Sequence, residues 1–269
     1  GKQLLLERFR WSHVASRLVE SARSWAKMPT LPPPRIGWVT TWNTRCGIAS
    51  YSAHLLENIP ADVKILAAKS KQLIQPDGPE VVRCWEIGED DTLDNLAGQI
   101  DDYLIDTLVV QFNYGFFNLE RFGHFLTGQI SGGKKVVLMM HSTTDPAHEP
   151  HKRLEKLKEV LGGCHRILVH TPHDLNRLKA LGLINNAAIF PHGVNDYMPA
   201  SSVNSRTATA SASEKNCFTI ASYGFFLPHK GLLELVEAIA LLRHAGLKVQ
   251  LNMVNSEYPV PESAALIRK

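Results

Sequence analysis

The sequence lacks the features that would place it in a membrane, in an oxidising compartment or on a nucleic acid. No apolar run approaches the roughly 20 residues of a membrane-spanning helix, and the amino-terminal stretch does not have the order of a signal peptide. The four cysteines stand far apart in the chain, which predicts a reduced, cytoplasmic protein. The formal net charge is only +3 and no basic run is interleaved with aromatic residues, so no nucleic acid partner is predicted.

Apolar residues make up 44% of the 269 positions, enough to bury the core of one or two domains. Residues 2–27 have apolar side chains at helical spacing, and we expect this amphipathic helix to dock on the domain that follows. Its Trp and Arg content would also suit a membrane surface, which leaves peripheral membrane contact open. The inward positions that the pattern predicts are Leu5, Phe9, Val14, Leu18, Ala22 and Trp25.

Strands and helices are predicted to alternate from the end of a proline-rich spacer at 29–34 to about residue 190. The runs TLVVQF and KVVLMM, at 107–112 and 135–140, are continuous apolar strands of the kind that is buried on both faces. This alternation predicts an α/β fold, a Rossmann-like domain with a parallel sheet and helices on both sides.

The same pattern divides the chain into four parts. They are an amphipathic helical tail at 1–30, a Rossmann-like domain at 31–198, a flexible linker rich in Ser, Ala and Thr at 199–216, and the truncated start of a second Rossmann-like domain at 217–269. The tail also resembles the closing helix of a preceding domain. We expect only two strands and one helix of the second domain to be complete, and these could not bury a core alone.

A first strand-to-helix turn lies within residues 35–60, where a buried strand passes through Cys46 and Gly47 into a helix. The first helical N–H groups lack partners and carry the positive end of the helix dipole, which is typical of a phosphate site. In the alternative interpretation, Gly47 only lets strand and helix pack closely. The turn has one of the three glycines of a dinucleotide fingerprint, which argues against a dehydrogenase or an epimerase.

A second strand-to-helix turn is found in SYGFFLPHKGLLELVEAIALLR. Gly224 ends the strand and Pro228 stiffens the turn. Lys230 and Gly231 then open a helix. A lysine at a helix N-terminus is unfavourable against the dipole, and a bound phosphate would remove that penalty. The turn therefore predicts a phosphate site at Lys230, with a solvated lysine on an exposed turn as the alternative.

Ligands of open α/β folds bind at the carboxyl ends of the strands. His141 directly follows the strand KVVLMM, so we expect it to donate a hydrogen bond or exchange a proton there. The alternative is a histidine that satisfies backbone groups in a tight turn. Thr171, at the next strand end, is explained as a helix cap with Pro172 at the first helical position and Asp174 in the first turn.

No metal site is predicted, although seven histidines fall between His141 and His192. In His148-Glu149-Pro150-His151 the proline prevents both rings from sharing one helix face, and the usual zinc spacings are absent. The acidic pairs at 90–91 and 101–102 do not have the Asp-x-Asp spacing that presents a divalent ion to a diphosphate. A metal-dependent transfer is therefore disfavoured.

Five stretches follow one another along the chain: TRCGIASYS at 44–52, VVQFNYGFF at 109–117, VVLMMHS at 136–142, IFPHGV at 189–194 and SYGFFLPHKGLLELVEAI at 222–239. In this order they resemble the motifs of the retaining glycosyltransferases of the GT-B fold, family four, from about Arg35 to Val254. The resemblance implies a GT-B-like pair of Rossmann domains and a nucleotide-sugar donor, used without a metal or another cofactor.

The resemblance also implies roles for individual residues. Gly47 would contact the diphosphate or the acceptor, His141 would lie beside the transferred sugar, and Lys230 would neutralise the leaving diphosphate. The donor loop would include Gly224 and Gly231, and the acceptor side would be formed by Asn113, Tyr114 and Gly115. The chain departs from the family pattern at Phe225, where an arginine is expected, at His192, where the hinge has an asparagine, and at Asn113, where a glutamate is expected.

The resemblance implies that the parent protein is a hexosyltransferase, with GDP-mannose as the first candidate donor and a glycan or lipid-linked sugar as acceptor. It would act in polysaccharide biosynthesis, with a neighbouring glycosyltransferase domain in the same chain as a further partner. Because the family's E-x7-E donor element would lie beyond Lys269, we expect the 269-residue piece to be inactive. The alternative is a non-catalytic scaffold of the same fold that binds a glycan or a partner subunit.

Overall fold

The structure is a computed structural model that describes residue 3 and residues 9–25, 33–194, 217–258 and 261–268. The chain forms two compact units, Gly1–Tyr197 and Met198–Lys269. The predicted linker at 199–216 lies outside the described residues. Each unit is described by itself.

The first unit contains a sheet of seven strands that are all parallel, in the order β3-β2-β1-β4-β5-β6-β7. Two of these strands coincide with the predicted runs TLVVQF and KVVLMM. The prediction of a parallel, Rossmann-like sheet flanked by helices is confirmed. The strands are β1 Ile36–Thr40, β2 Val63–Ala68, β3 Val81–Trp85, β4 Thr107–Phe112, β5 Lys135–Met140, β6 Arg166–Val169 and β7 Ala187–Ile189.

The helices of the first unit connect these strands or precede them. They are α1 Trp11–Trp25, α2 Gly47–Leu56, α3 Asp94–Asp102, α4 Leu119–Ser131, α5 Lys158–Gly163 and α6 Pro172–Ala180. The alternation of the sequence predicts a helix at 151–161. The observed helix is shorter, because the segment begins with a 3₁₀ turn at Leu154–Leu157 and continues as α5. The reason lies in contacts with residues outside this stretch, since the buried ammonium of Lys152 donates to Tyr114 O and Leu154 N donates to the carboxylate of Asp145.

Each face of the sheet has its own core. One face packs against α3, α4, α5 and α6, with large side chains such as Phe112, Phe117 and Phe122 fully buried. The opposite face packs against α1 and α2 and buries Trp38, Tyr51 and Leu55. Side chains alternate between the two faces along each strand, as the two-residue period of β-structure requires.

Helix α1 docks on α2 and on the sheet, as the sequence pattern predicts. Val14 and Ala15 are buried in the α1–α2 core, and Leu18 packs against it. The ring of Trp11 meets the ring of Tyr51 edge to face at 5.3 Å and stacks on His54 at 5.5 Å. The side chains of Leu5, Ala22 and Trp25 lie outside what the structure describes.

Two helices of the first unit begin at capped positions. The side chain of Asn118 accepts hydrogen bonds from Glu120 N and Arg121 N at the start of α4. At the start of α6 the hydroxyl of Thr171 accepts from Asp174 N at 3.1 Å, with proline at the first helical position. The structural explanation of Thr171, Pro172 and Asp174 is thus confirmed.

The second unit is built on two parallel strands, β8 Phe218–Phe225 and β9 Val249–Ser256. A 3₁₀ turn at Pro228–Lys230 precedes α7 at Leu232–His244, and α8 follows at Pro261–Ile267. Large apolar side chains stay exposed on this unit, including Phe218 at 72% and Tyr223 at 88%. Leu232, Ile239 and Val249 are buried among the described residues of this unit, and a two-stranded sheet has little area for a larger core.

In the part of the chain that the structure describes, no helix combines the length and the apolarity that crossing a membrane requires.

We predict that Gly193→Ala displaces the ring of Trp11 from its packing against Tyr51 and His54. A Cβ at position 193 would lie 2.5 Å from Cδ2 of the Trp11 ring, so ring and backbone could not keep their present positions. We expect the free energy of unfolding to fall by about 1–3 kcal/mol, measured by urea denaturation. The fluorescence of Trp11, assigned by comparison with Trp11→Phe, should shift towards that of an exposed indole.

The matched control is Gly47→Ala. A Cβ at Gly47 would meet no atom within 4 Å, and alanine is the better helix former. This variant should be unchanged or more stable by about 0.4–1 kcal/mol. Equal destabilisation by the two alanines would contradict the packing of Trp11 on Gly193.

Candidate functional site

The candidate site lies at the carboxyl edge of the seven-stranded sheet, beside β1. The chain order of the strands reverses there, because β1 pairs with β2 on one side and with β4 on the other. Open α/β sheets bind ligands at such a reversal. Helix α2 begins directly above this edge, since only residues 41–46 separate it from β1.

Polar residues at the carboxyl ends of three neighbouring strands, β4, β5 and β6, lie on the α2 face of the sheet. Val109, Met139 and Leu168 belong to the core beneath α1 and α2. Two residues further on, the period of the strands places Gln111 and the first residues beyond β5 and β6 on the same side. Those two residues are His141 and His170.

The imidazoles of His141, His170 and His192 form a cluster around the ring of Tyr51. The ring centre of Tyr51 lies 5.0 Å from that of His141 and 5.2 Å from those of His170 and His192. The imidazole centres of His170 and His192 are 4.0 Å apart, and those of His141 and His170 are 4.9 Å apart. The structure thus brings the predicted His141 together with two histidines and a tyrosine of α2.

Hydrogen bonds determine where the protons of two imidazoles reside. Nδ1 of His170 lies 2.8 Å from Phe190 O, and because a carbonyl oxygen only accepts, this nitrogen carries the proton. Nε2 of His141 lies 2.7 Å from Oε1 of Gln111, so it donates to the amide oxygen. The lone pairs therefore reside on His170 Nε2 and His141 Nδ1.

The cluster is uncharged near neutral pH. Burial, with smaller contributions from the neighbouring imidazoles of His170 and His192, lowers the pKa of His141 to about 3. Burial also lowers the pKa of His170 to about 4. The phenol of Tyr51 is buried too, which raises its pKa above the ordinary value. The cluster therefore offers neutral donors and acceptors.

Polar contacts fix helix α2 above the sheet. Nε1 of Trp38 donates to Oγ of Ser52 at 3.1 Å, and the hydroxyls of Thr40 and Ser52 lie 2.8 Å apart. The hydroxyl of Tyr51 reaches Sδ of Met139 at 2.8 Å. These contacts hold the ring of Tyr51 against the histidines. Further along the helix, Leu55 is buried and Leu56 packs on the same core.

The N-terminus of α2 is open. Its cap residue Cys46 makes no side-chain hydrogen bond to the first turn, which contains no acidic residue. Gly47 is exposed, and a Cβ there would meet no atom within 4 Å. Close packing of strand and helix therefore does not explain this glycine. The first helical N–H groups have the geometry of an anion site.

The predicted acceptor-side residues are not brought into the histidine cluster. Tyr114 packs in the core of the opposite face, and its hydroxyl donates to Oδ1 of Asp145 at 2.8 Å. Oδ1 of Asn113 accepts from Gly115 N at 2.9 Å and closes a local turn. These contacts explain the residues as parts of the loop structure beyond β4.

Among the residues that the structure describes, one group could supply three metal ligands: Glu89, Glu149 and His151. The ammonium of Lys152 lies 2.7 Å from Oε1 of Glu89 and 2.8 Å from Oε2 of Glu149. It also donates to Tyr114 O at 3.0 Å, and its hydrogen bond lowers the pKa of Glu89. The two carboxylates are already paired with a fixed cation.

In the second unit, the predicted turn residues lie between β8 and α7. Gly224 and Gly231 have φ angles of 124° and 66°, which glycine adopts at little cost. Lys230 is exposed directly before the N-terminus of α7, where no side chain caps the helix. Phe225 packs edge to face on Tyr258 at 5.0 Å, so the position where the family has an arginine is apolar and occupied.

Four residues of the site were not predicted as functional candidates from the sequence: His192, Tyr51, Gln111 and His170. One signal could have found the last two, since both stand two residues beyond an α2-facing core position of an apolar strand. Tyr51 gave no such signal, because a tyrosine on an amphipathic helix is an ordinary core residue.

No protein-family model matches the chain, and no curated protein matches it with significance. The similarity to glycosyltransferases therefore rests on the motifs and remains an interpretation of them.

We predict that stability falls with acidity because of the histidine cluster. The folded-state pKa values of His141 and His170 are depressed below the ordinary 6.5, so the unfolded chain binds more protons between about pH 4 and 6.5. Stability is full above pH 6.5 and decreases as the pH falls below it. We expect a loss on the order of 2 kcal/mol for each of the two histidines between pH 7 and pH 5, measured by urea denaturation.

In His141→Gln this dependence should become shallower, because one suppressed protonation is removed. His124→Gln, at an exposed position of α4, is the matched control and should keep the wild-type slope. A slope that is the same in all three proteins would show that the cluster is already protonated or already open to solvent in the folded state.

Proposed function

We propose that the first unit is the acceptor-side, sugar-binding domain of a retaining glycosyltransferase that uses a nucleotide-sugar donor. The parent protein would transfer a hexose, with GDP-mannose as the first candidate donor, to a glycan or a lipid-linked sugar. All four cysteines are free, which supports a reducing, cytoplasmic compartment.

One observation carries the proposal: an uncharged histidine cluster and an open helix N-terminus share the reversal point of the sheet. Tyr51, which contacts all three imidazoles, is four residues from Gly47, about 6 Å along the helix axis. Neutral donors and acceptors suit the hydroxyls of a sugar. Unpaired N–H groups with a positive dipole suit an anion, such as a phosphate of the donor.

The residue types also agree with the chemistry of sugar transfer. Breaking the bond between C1 of the sugar and the diphosphate oxygen develops negative charge on the diphosphate. Fixed N–H groups and a cation stabilise that charge. The N-terminus of α2 in the first unit and Lys230 in the second unit are each a candidate for such a group. His141 lies beside the sugar in this proposal as a hydrogen-bond donor or acceptor, and no enzyme nucleophile is required.

A second candidate is a non-catalytic scaffold of the same fold that binds a glycan or a partner. It is favoured by Phe225, which stands where the family has an arginine and packs on Tyr258. Half of the expected diphosphate clamp is then missing. This candidate predicts glycan binding without turnover of any nucleotide sugar.

We predict that Lys230→Gln weakens donor binding about tenfold or more, because it removes a charge-assisted hydrogen bond to the diphosphate. The parent protein, with its second unit complete, would be tested by saturation-transfer NMR against GDP-, UDP- and ADP-sugars. Turnover of the donor that binds would then be measured with and without a chelator, and we expect the chelator to have no effect.

The matched control is Lys248→Gln, another exposed lysine of the second unit, which should bind the donor like the wild type. If both variants weaken donor binding equally, Lys230 acts only through the general charge of the protein and does not contact the diphosphate. Absence of donor binding and turnover in the wild-type parent protein would overturn the enzyme proposal, and glycan binding alone would favour the scaffold.

A further inference from the structure

The histidine cluster contains a buried acceptor without a protein partner. Nδ1 of His170 donates to Phe190 O at 2.8 Å, which leaves the lone pair on Nε2. That nitrogen is buried and finds no hydrogen-bond partner among the described residues. An unsatisfied buried acceptor is costly, by about 1–3 kcal/mol, and such groups in native proteins have a partner in water or a ligand.

The cluster also contains a buried donor without a protein partner. The side chain of Gln111 is fully buried, and its Oε1 accepts from Nε2 of His141 at 2.7 Å. Its amide nitrogen Nε2 finds no partner among the described residues. The bond to His141 orients the amide, so this donor has a defined direction.

His141 links the two unsatisfied groups. It is hydrogen-bonded to Gln111, and its ring centre lies 4.9 Å from that of His170. Both groups lie on the α2 face of the sheet at its carboxyl edge. The ring of Tyr51 packs against His141 and His170 at 5.0 and 5.2 Å, so an aromatic ring lies beside the pair.

Gln111 and His170 together require a ligand group that can both donate and accept a hydrogen bond. Nε2 of His170 needs a donor, and the amide of Gln111 needs an acceptor. A hydroxyl group supplies both. A carboxylate or an ionised phosphate oxygen supplies only acceptors and would face the imidazole lone pair, and an ammonium supplies only donors.

We infer that Gln111 and His170 together bind an uncharged hydroxyl group of the ligand, with Gln111 as donor and His170 Nε2 as acceptor. The inference rests on the proposed function in one respect, the assumption that the hydroxyl belongs to a sugar. Anion recognition is thereby separated from hydroxyl recognition, the former at the N-terminus of α2 and the latter at this pair.

The test uses two substitutions of His170, each of which keeps the function of one ring nitrogen and removes that of the other. In His170→Asn the shorter amide retains a donor where Nδ1 stood, so the bond to Phe190 O is kept and the Nε2 acceptor is lost. In His170→Gln the longer amide places a polar atom where Nε2 stood, and the bond to Phe190 O is lost. Urea denaturation reports the structural role, and ligand titration reports the binding role.

The probes are methyl α-D-mannopyranoside, sorbitol and inorganic phosphate, titrated into protein with ¹⁵N-labelled histidine. We expect the mannoside to shift the Nε2 resonance of His170 to lower frequency, as a hydrogen bond to that nitrogen does. His170→Asn should bind the mannoside about tenfold more weakly with unchanged stability. His170→Gln should bind within about threefold of the wild type and be less stable.

Gln111→Glu provides a second variant, because it keeps the shape of the side chain and replaces its donor by an oxygen. It should also bind the mannoside about tenfold more weakly. If a fall in stability accompanies this loss, the comparison of His170→Asn with the wild type decides the question.

The outcomes separate this inference from the proposed function. If the wild type and His170→Asn bind the mannoside equally, the hydroxyl pair is wrong and the sugar proposal stands. If sorbitol shifts Nε2 and the mannoside does not, the pair is right and the sugar assignment is wrong. If phosphate shifts Nε2 as strongly as the mannoside, or if none of the probes shifts it, the inference is overturned.

Discussion

The candidate site depends on the packing of one tyrosine of α2 against the carboxyl edge of a parallel sheet. The ring of Tyr51 contacts three imidazoles at once, and its hydroxyl is held by Met139. Helix α2 and the ends of β5, β6 and β7 are thereby kept in one arrangement. The burial that this packing causes keeps the imidazoles neutral, because a charged imidazole would lose its hydration.

The two-residue period of the strands explains why polar side chains meet there. The paired strands end at nearly the same level, since Met140 lies beside Val169 in the register of β5 and β6. One residue further, His141 and His170 therefore emerge side by side on the α2 face. Helix α1 completes this arrangement, because Trp11 packs on Tyr51 and on Gly193. A helix that precedes the sheet in sequence thus forms one wall beside the site.

Much of the first unit could be predicted from the sequence, and the reason is local. Continuous apolar runs such as TLVVQF can only be strands buried on both faces, and Thr171 with Pro172 marks a helix start. The helix at 151–161 was predicted too long, because the stretch before Leu154 is held by contacts with residues distant in sequence, including the bond from the ammonium of Lys152 to Tyr114 O. In the candidate site, His141 was predicted from its place after a strand. Tyr114 was assigned to the acceptor side, and its ring packs beside Phe112 in the core of the face opposite α2; its acceptor role stays a prediction.

The sequence by itself determined the α/β class, the parallel strands and the position of His141 at a strand end, since these follow from hydrophobic period and neighbouring residues. Only the tertiary structure decided that His141 would share its surroundings with Gln111, His170 and Tyr51. Those contacts join residues that lie 29 to 119 positions apart, and they depend on strand order, register and the packing of α2. The proton positions were also decided there, because a carbonyl twenty residues away, Phe190 O, fixes the tautomer of His170.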